Sequence, residues 1–375
     1  MFRPIAAAAI GAVVLSSPAW AHHGFGRIDG SQNITWEGTL TGIDFVNPHA
    51  YLYFDRVADD GKTLKMRCEM RAATVLRRSG WTPEMFVPGK HVAVNGHPHR
   101  DDPSTCYVED LTIGDSPTLV RYQQLTTASP TKPSDRPARL PGGEPNITGD
   151  WAQEQYLLAR APAGGRGGLV PKSQVAAVEA GTVKVADLPN NGWGARPVML
   201  TPAGQAAADK LKAVAPQDNP RSRCEITSIL FDWVFDGPVN RITQAKDSIT
   251  IDYGRGLTRT VQMNAAKHPA AIAPSRAGHS IGHWDGDTLV VDTVGFAPGS
   301  IAGTVPSSAK LHVVERFTLD PQELALKRDY VADDAEYFTD QYAGSDIVML
   351  ADAPFAKDLC NDLTYKDYSQ ETQKK

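Results

Sequence analysis

The chain has 375 residues, enough for two domains at a typical size of about 150 residues each. Its formal net charge is −5 at neutral pH, which argues against a general binder of nucleic acid or of anionic membranes. Gly (32 residues) and Pro (27 residues) are abundant, and this favours a β-rich protein with many turns over a helical bundle.

The first 21 residues predict a secretory signal peptide. Arg3 gives a positive start, and residues 5–15 form an apolar run that is too short to span a bilayer. Ala19-Trp20-Ala21 is a small-x-small cleavage site. We therefore expect cleavage after Ala21 and a mature protein in the periplasm or outside the cell. No later stretch approaches a membrane-spanning length of about 20 apolar residues.

Residues 22–121 predict a first domain with an OB-like fold. A short helix, Ala72–Arg78, separates three predicted strands from two more, which is the element order of a small OB-type barrel. The five strands are Ile34–Leu40, Ala50–Phe54, Thr63–Cys68, His91–Asn95 and Cys106–Leu111. OB folds often bind single-stranded nucleic acid, but the acidic charge and the predicted export argue against that ligand here.

Residues 122–147 are rich in Pro, Ser, Thr and Gly and predict a linker to a second domain at 148–375. Thr201-Pro202 predicts the start of a helix in this domain. Seven antiparallel strands then predict an up-and-down, lipocalin-like barrel or a curved sheet, with Asp285-Gly286 as a tight hairpin turn. The strands are 241–244, 248–253, 258–263, 279–284, 288–293, 311–317 and 324–330. The whole chain is thus predicted to be mainly β with a few short helices.

Four cysteines, Cys68, Cys106, Cys224 and Cys360, allow three disulfide pairings. An oxidising compartment favours disulfides, and the economical pairing joins Cys68 to Cys106 and Cys224 to Cys360. The chain has no CxxC motif, so the sequence does not indicate a thiol redox centre or a thiolate zinc site.

Two stretches of the chain resemble known families. The first is carried by residues 21–25 (AHHGF), 47–49 (NPH) and 96–98 (GHP), and it spans roughly residues 21–113. These motifs resemble a family of exported bacterial β proteins of unknown function that often open with Ala-His-His-Ser-Phe, although Gly24 stands where Ser is common. The second is carried by residues 278–293 (GHSIGHWDGDTLVVDT), which resemble an uncharacterised exported β-barrel-like domain. Neither resemblance implies a reaction.

The first domain holds six of the ten histidines, and three of them suggest a metal site. If cleavage follows Ala21, the α-amine and the imidazole of His22 can chelate one metal ion together. His49 or His97 would add a further imidazole, and an all-nitrogen, near-planar set suits Cu(II). The alternative is that His22 lies at a solvated chain end and that His97 belongs to a polar loop.

The second domain offers residues for proton transfer. His279, His283 and Asp285 share one face of a predicted strand, with the two histidines about 13 Å apart at 3.3 Å per residue. His312 and Glu315 lie on a neighbouring strand, and imidazoles beside carboxylates are suited to acid–base catalysis. The predicted substrate-binding residues are Trp284, Phe296, Arg316, Phe317, Arg328 and Tyr330. The alternative is a set of cross-strand ion pairs.

One motif superficially indicates a serine nucleophile. Gly278-His279-Ser280-Ile281-Gly282 matches Gly-x-Ser-x-Gly, but the nucleophile elbow needs a strand-to-helix turn, and this segment is flanked by β patterns. His268 lies in a predicted loop and is as consistent with a structural role as with a catalytic one.

Three functional hypotheses follow. The leading one is an exported enzyme that needs no cofactor and performs lyase, isomerase or cyclase chemistry on a small apolar or aromatic substrate in the second barrel. The second is a copper-binding protein with its site at His22. The third is a non-catalytic binding module of the cell envelope. We expect a small-molecule partner and no nucleic acid, and the oligomeric state cannot be derived from the sequence.

Overall fold

The computed structural model describes residues 28–47, 49–123, 125, 136–160, 168–188, 198–214, 225–234, 238–254, 256–351 and 353–355. The protein is mainly β, with a small closed barrel in the N-terminal region and a larger, nine-stranded closed barrel after it. This confirms the predicted fold class. Among the described residues, no helix is long and apolar enough to cross a membrane.

The first barrel is built from five strands, with a helix between the third and the fourth and a short sixth strand at one edge. Its elements are β1 (Ile34–Asp44), β2 (Tyr51–Val57), β3 (Thr63–Glu69), α1 (Ala73–Arg78), β4 (His91–Pro98), β5 (Thr105–Ile113) and β6 (Leu119–Val120). The strand order is β2-β1-β4-β5, and β3 closes the ring by pairing with both β2 and β5. The predicted OB-like order of strands and helix is therefore observed.

A disulfide links the two strands that close this barrel. β3 and β5 run parallel, and Cys68 lies directly opposite Cys106 in their register. The two cysteines form a disulfide with a Cα–Cα distance of 4.4 Å, which confirms that predicted pairing. Cys224 and Cys360, the other predicted pair, lie outside the described residues.

The second barrel contains nine strands, seven of which match the predicted ones. In ring order they are β7 (Gly149–Gln153), β10 (Val239–Gln244), β11 (Ser248–Asp252), β12 (Thr258–Met263), β13 (His279–Asp285), β14 (Thr288–Val294), β17 (Leu311–Asp320), β18 (Ala325–Asp334) and β19 (Tyr342–Leu350), which returns to β7. Two small sheets accompany the barrel, formed by β8 (Tyr156–Ala159) with β9 (Gly168–Pro171) and by β15 (Gly299–Ala302) with β16 (Val305–Ser307).

Within the described residues that follow β7, two α-helices are present, α2 (Val175–Glu179) and α3 (Pro202–Lys212). α3 begins where Thr201-Pro202 predicts it, since the Thr201 hydroxyl accepts a hydrogen bond from the Gly204 backbone N–H at 3.0 Å. The Asp285-Gly286 turn is also confirmed. Asp285 pairs with Thr288 across the hairpin, and Gly286 has a φ of 60°.

One strand pair departs from the predicted antiparallel pattern. β12 and β13 run parallel, whereas every other neighbouring pair in the nine-stranded ring is antiparallel. A closed ring in which all neighbours are antiparallel needs an even number of strands. This ring has nine, so at least one neighbouring pair must be parallel. A parallel pair cannot be joined by a tight hairpin, so residues 264–278 form a long connection back to the start of β13.

Residues of the chain itself fill the interior of the second barrel. The segment 225–234, called the plug here, enters the barrel and buries Ile226, Ile229, Leu230 and Trp233 against the inward-facing side chains. Trp233 meets Phe317 edge to face at a ring-centroid distance of 5.9 Å. The plug is held by Arg328, whose guanidinium donates to the carbonyls of Ile229 (3.0 Å) and Leu230 (2.8 Å).

The two barrels meet at a buried polar joint. The Arg78 guanidinium, at the end of α1, donates to the carbonyl of Gln153 at 2.8 Å, and the Gln155 amide returns a bond of 2.8 Å to the Arg78 carbonyl. Ser79 donates to the Gln155 side-chain oxygen at 2.9 Å. Because these groups satisfy one another away from water, they hold the end of α1 against the start of the second barrel.

Candidate functional site

The side chains of β13 alternate between the two faces of the barrel wall. His279, Ile281, His283 and Asp285 point outward, and Ser280, Gly282 and Trp284 alternate with them on the inner face. Four of the five predicted catalytic residues therefore lie on the outside of the barrel, because His312 of β17 also points outward. The interior that we expected to hold a ligand is occupied at this level by the plug.

The outer face carries a hydrogen-bonded group of four residues, called the histidine cluster here: His268, His279, Asp292 and His312. The Nδ1 atoms of His268 and His279 are 2.8 Å apart. His268 Nε2 lies 2.9 Å from Asp292 Oδ1, and His312 Nε2 lies 3.1 Å from each oxygen of the same carboxylate. The cluster is thus a continuous chain from imidazole to imidazole to carboxylate to imidazole.

Strand register brings three members of the cluster together. His279 lies opposite Val294 on β14, and Asp292 lies two residues before Val294, so its side chain points to the same face. Asp292 in turn lies opposite Val314 on β17, two residues after His312. Neighbouring strands are about 4.8 Å apart, a distance that imidazole and carboxylate side chains bridge easily.

The fourth member, His268, comes from the long connection between β12 and β13. This connection is tied to the barrel at both ends. The Asn264 backbone N–H donates to the Gly282 carbonyl at 2.7 Å, and the Ala297 N–H donates to the Ser275 carbonyl at 2.8 Å. The parallel strand pair requires such a crossing segment, and the segment places His268 between His279 and Asp292.

The hydrogen bonds restrict where protons can reside. A bond between two Nδ1 atoms needs one donor and one acceptor, so only one of these atoms carries a proton. If His268 is neutral, its Nε2–H donates to Asp292, and its Nδ1 accepts from His279 Nδ1–H. The lone pair of His279 then lies on Nε2, the ring nitrogen that faces away from His268. This arrangement makes His279 Nε2 a proton acceptor.

Electrostatics favour a neutral His279 and an ionised Asp292. Desolvation by burial, followed by the positive charge that His268 can carry, lowers the pKa of His279 below its usual value. Partial burial alone would raise the pKa of Asp292. The hydrogen bonds from His268 and His312 outweigh that effect, and the pKa of Asp292 is lowered. The cluster therefore pairs a neutral base with a fixed negative charge.

The cluster is open to solvent at one side and sheltered at the other. The His268 side chain is only 17% exposed, whereas His312 is 41% and Asp292 is 40% exposed. Three partly buried apolar side chains, Ile281, Val294 and Val314, lie among its members on the same outer face. A small molecule could reach His279 from solvent and rest on these apolar groups.

The other outward-facing predicted residues lie apart from the cluster. His283 is four residues along β13 from His279, about 13 Å at the spacing of an extended strand. Arg316 donates to Asp285 at 2.8 Å, in an exposed ion pair. Exposed pairs of this kind contribute little to stability, typically about 0–1 kcal/mol. The structure therefore brings His279 and His312 together and leaves His283, Asp285 and Arg316 as a separate group.

The remaining predicted catalytic residue, Glu315, lies inside the barrel in a buried ionic network. Its carboxylate contacts the Arg259 guanidinium at 2.5 Å and the Arg328 guanidinium at 3.2 Å. Arg328 also contacts Asp346 at 2.5 Å. Burial alone would lower the pKa of Arg328, but the attraction of Asp346 and Glu315 outweighs it and raises the pKa. The positive charges of the two arginines balance the negative charges of the two carboxylates. Arg328 also donates to two carbonyls of the plug, so the network holds the plug in place.

The predicted substrate-binding residues of the interior are packed as core. Phe317 and Phe296 are buried, and Trp284 packs partly buried against the same core. Tyr330 stacks on Tyr342 at a centroid distance of 6.1 Å, and burial raises the pKa of its hydroxyl. These side chains do not face the histidine cluster.

Ser280, the serine of the Gly-x-Ser-x-Gly match, also lies in the interior. It accepts a hydrogen bond from Arg259 Nε at 2.8 Å and lies 2.9 Å from the Thr293 hydroxyl. Its backbone continues as a strand on both sides. The glycines of the match have steric roles, since a Cβ at Gly282 would lie 2.7 Å from a Val261 methyl group. The absence of an elbow agrees with the sequence analysis.

Two of the predicted copper ligands are described, and each is hydrogen-bonded within the first barrel. His49 Nδ1 lies 2.9 Å from Glu69 Oε1, and His97 Nδ1 lies 2.7 Å from the Gln32 carbonyl oxygen. Within the described part of the chain, no group of three or more His, Cys, Asp or Glu side chains is arranged to hold a metal ion. His22 lies outside that part, and its copper site stays a prediction.

The sequence left the role of His268 open, and two further residues, Arg259 and Asp346, were not identified from it. His268 is central to the cluster, but nothing in its local pattern indicates this, because only the closed ring places its loop across β13 and β14. The positions of Arg259 and Asp346 in the sequence give a weak indication that they belong to a buried network. Each is a charged residue at an inward position of an alternating strand, as the burial of Arg259 beside Val261 shows.

Residues 11–107 match the model of a family of unknown function (DUF6152). The match covers β1 to β4 and the start of β5. It overlaps the stretch, roughly residues 21–113, whose motifs resemble exported bacterial β proteins of unknown function. No curated protein matches the chain. Since the family description names no reaction, the function has to be argued from the geometry of the site.

Proposed function

We propose that the protein is an exported enzyme that transfers protons on a small, largely apolar substrate, with His279 as the catalytic base. The observation that carries the proposal is the 2.8 Å contact between the Nδ1 atoms of His279 and His268, backed by Asp292. Imidazole chains that end on a carboxylate are well suited to general acid–base catalysis. The Cys68–Cys106 disulfide supports an oxidising compartment, as the predicted signal peptide requires.

The geometry supports the following sequence of proton movements. His279 Nε2 takes a proton from the substrate, which makes His279 a cation. Its Nδ1 proton can then pass to His268 Nδ1 across 2.8 Å, so that the positive charge rests beside the Asp292 carboxylate. The reverse movement returns a proton to another atom of the substrate or to a leaving group. This is isomerase or lyase chemistry, and it requires only the residues of the cluster.

His268, Asp292 and His312 act through His279 and are positioning residues in this proposal. Asp292 fixes the tautomer of His268 and stabilises its cationic form, and His312 holds the carboxylate from the opposite side. The apolar side chains Ile281, Val294 and Val314 would contact the body of the substrate. Their partial exposure supports a small apolar or aromatic molecule over a highly charged one.

The test uses a general probe of proton abstraction, nitrobenzisoxazole, whose ring opens when a base removes its C–H proton. We expect wild-type protein to open the ring and His279→Gln to lose at least about tenfold of that rate, because general bases contribute on the order of 10²–10⁴. His268→Gln should alter the pH–rate profile as well as the rate, because its role is to hold the His279 tautomer.

The matched control is His283→Gln, which removes an imidazole from the same strand and the same outward face. This variant should retain the wild-type rate. Imidazole proton–nitrogen NMR spectra should also show a single proton shared between the Nδ1 atoms of His268 and His279. Equal rates for wild type, His279→Gln and His283→Gln would contradict the proposal.

A further inference from the structure

A second candidate site lies at the opposite end of β17 from the histidine cluster. A cleft of about 830 Å³ opens there between the β17–β18 turn, strand β19 and the segment 153–156. Its volume falls within the range of about 300–1,000 Å³ that is common for small-molecule sites. His312 and Thr318 are six residues apart on β17, so the cleft is about 20 Å from the histidine cluster.

The walls of the cleft present apolar surface to solvent. Ile347 is 47% exposed. Leu319, Met349 and Tyr156 line the cleft beside it, each partly buried. Contiguous apolar surface in a concave site is typical of a binding site for a ligand with an apolar body.

Three carboxylates surround this apolar surface. Glu154 and Asp320 are held in place by backbone N–H groups: Ser173 N–H donates to Glu154 at 2.6 Å, and Gln322 N–H donates to Asp320 at 2.8 Å. Glu323, on the β17–β18 turn, lines the same cleft. Among the described residues, none of the three carboxylates forms a salt bridge, and Lys327 is the one described cation that lines the cleft.

The remaining charged groups of the cleft are neutralised by partners. Lys327, the cation of the cleft, lies 2.9 Å from Asp329. Asp346, at the inner end, lies 2.5 Å from Arg328 of the buried network. The net character of the cleft is therefore apolar walls with an anionic rim, which complements an organic cation.

We propose that this cleft binds a small organic amine, an ammonium group attached to an aromatic or branched aliphatic body. The apolar part lies against Ile347, Met349 and Leu319, and the ammonium lies among Glu154, Asp320 and Glu323. The aromatic ring of Tyr156 adds a surface that attracts cations. This site does not depend on the histidine cluster, and it gives the protein a ligand chemistry different from that of the proposed proton-transfer site.

The test compares three probes of similar shape by isothermal titration calorimetry on the full chain: phenethylamine, phenethyl alcohol and hydrocinnamate. At neutral pH these carry a positive, no and a negative charge. We expect phenethylamine to bind at least roughly fivefold more tightly than either analogue, and higher ionic strength to weaken its binding.

The variant that tests the location is Glu154→Gln with Glu323→Gln, which removes two charges while glutamine at position 154 still accepts the Ser173 hydrogen bond. We expect the affinity for phenethylamine to fall by roughly tenfold, because two charges near the ammonium are lost. The control, Asp59→Asn with Asp115→Asn, removes two exposed charges from the first barrel and should bind as wild type does.

A third variant, Ile347→Ser, tests the apolar wall and should weaken both phenethylamine and phenethyl alcohol. Thermal melts of all variants establish that they are folded. Binding of hydrocinnamate as tight as that of phenethylamine, unchanged binding by the Glu154/Glu323 variant, or no binding of phenethylamine at millimolar concentration would each overturn the proposal. None of these results bears on the nitrobenzisoxazole assay, so the two proposals fail separately.

Discussion

At the residue scale, two histidines of one strand and one face have different surroundings. His279 and His283 both point outward from β13, but only His279 is reached by the connection that carries His268. The pattern of alternation predicts that these histidines share a face. The alternation does not predict which face points into the barrel. As a set, the inward residues Ser280, Gly282 and Trp284 are no more apolar than the outward residues of β13. Of these three, Ser280 contacts the buried ionic network by accepting a hydrogen bond from Arg259, and Trp284 packs against the apolar core.

That network also explains why Glu315 and Arg328 resemble site residues in the sequence. Charged side chains on a barrel strand indicate either a surface or a functional interior. Here they form buried pairs, in which removal of one partner typically costs about 3–5 kcal/mol because it leaves an uncompensated buried charge. Alternation cannot separate this structural role from a catalytic one.

His279 should make the stability of the protein depend on pH. Its pKa is lowered in the folded state, so between its unfolded and folded values the folded protein binds fewer protons than the unfolded chain. Its contribution to stability is complete above the unfolded pKa of about 6.5 and is lost as the pH falls through the folded pKa. We expect wild-type protein to lose stability between pH 7 and pH 5 more steeply than His279→Gln.

Urea denaturation at several pH values measures this slope, and His283→Gln serves as the control. If wild type and His279→Gln show parallel profiles, the lowered pKa of His279 is not present in solution.

At the element scale, the two parallel strand pairs determine how each barrel closes and where His268 lies. In the second barrel, the β12–β13 pair requires the crossing segment that delivers His268. In the first barrel, the β3–β5 pair closes the ring and carries the disulfide. Individual strands are predictable from alternation, and the five strands of the first barrel and seven of the second were found that way. Pairing partners are not, because they depend on how the whole sheet closes.

The disulfide should stabilise the first barrel substantially. Cys68 and Cys106 are separated by 38 residues, and closing a loop of that length in the unfolded chain corresponds to about 4 kcal/mol in the chain-entropy model. We expect the Cys68→Ala/Cys106→Ala variant to unfold at lower denaturant concentration, with most of that difference lost when wild type is measured under reducing conditions.

The fluorescence of Trp81, which is buried in the first barrel, reports this transition. Trp81→Phe, introduced into wild type and into the Cys68→Ala/Cys106→Ala variant, shows which part of the fluorescence change comes from Trp81. Equal midpoints for oxidised wild type and the double variant would show that the disulfide adds nothing to the stability of this barrel.

At the scale of the whole molecule, both barrels contain an odd number of strands, and each closes with one parallel pair. The composition and the turn pattern predict two β domains. They do not predict the closing strands of the second barrel, β7 and β19, because β7 is short and β19 has an irregular burial pattern. Neither could they predict the joint formed by Arg78, Ser79 and Gln155, since its partners come from separate domains.

Removing the last strand should leave the second barrel open. Without residues 342–375, β7 and β18 would each lose a hydrogen-bonded neighbour and expose an unpaired edge. We expect this truncated protein to form oligomers or aggregates on size-exclusion chromatography. Its first barrel should keep protected amides in hydrogen exchange.

The matched control lacks only residues 356–375 and keeps all nine strands; both truncated proteins carry Cys224→Ser, since each loses Cys360, its predicted partner. It should elute as the full chain does. A monodisperse protein without residues 342–375, with the protection pattern of the full chain in the remaining strands, would show that ring closure is not needed.

The pairing of β7 with β19 has a consequence for biosynthesis. β7 emerges early, as the first strand of the second barrel, and its partner on one side is the last strand to be made. Until then the growing chain carries eight strands with two open edges, and such edges can pair with other chains. Local contacts fold first and distant ones later, so ring closure is expected to be the slow step. A chain kept unfolded until it has crossed a membrane would not expose these open edges in the crowded cytoplasm.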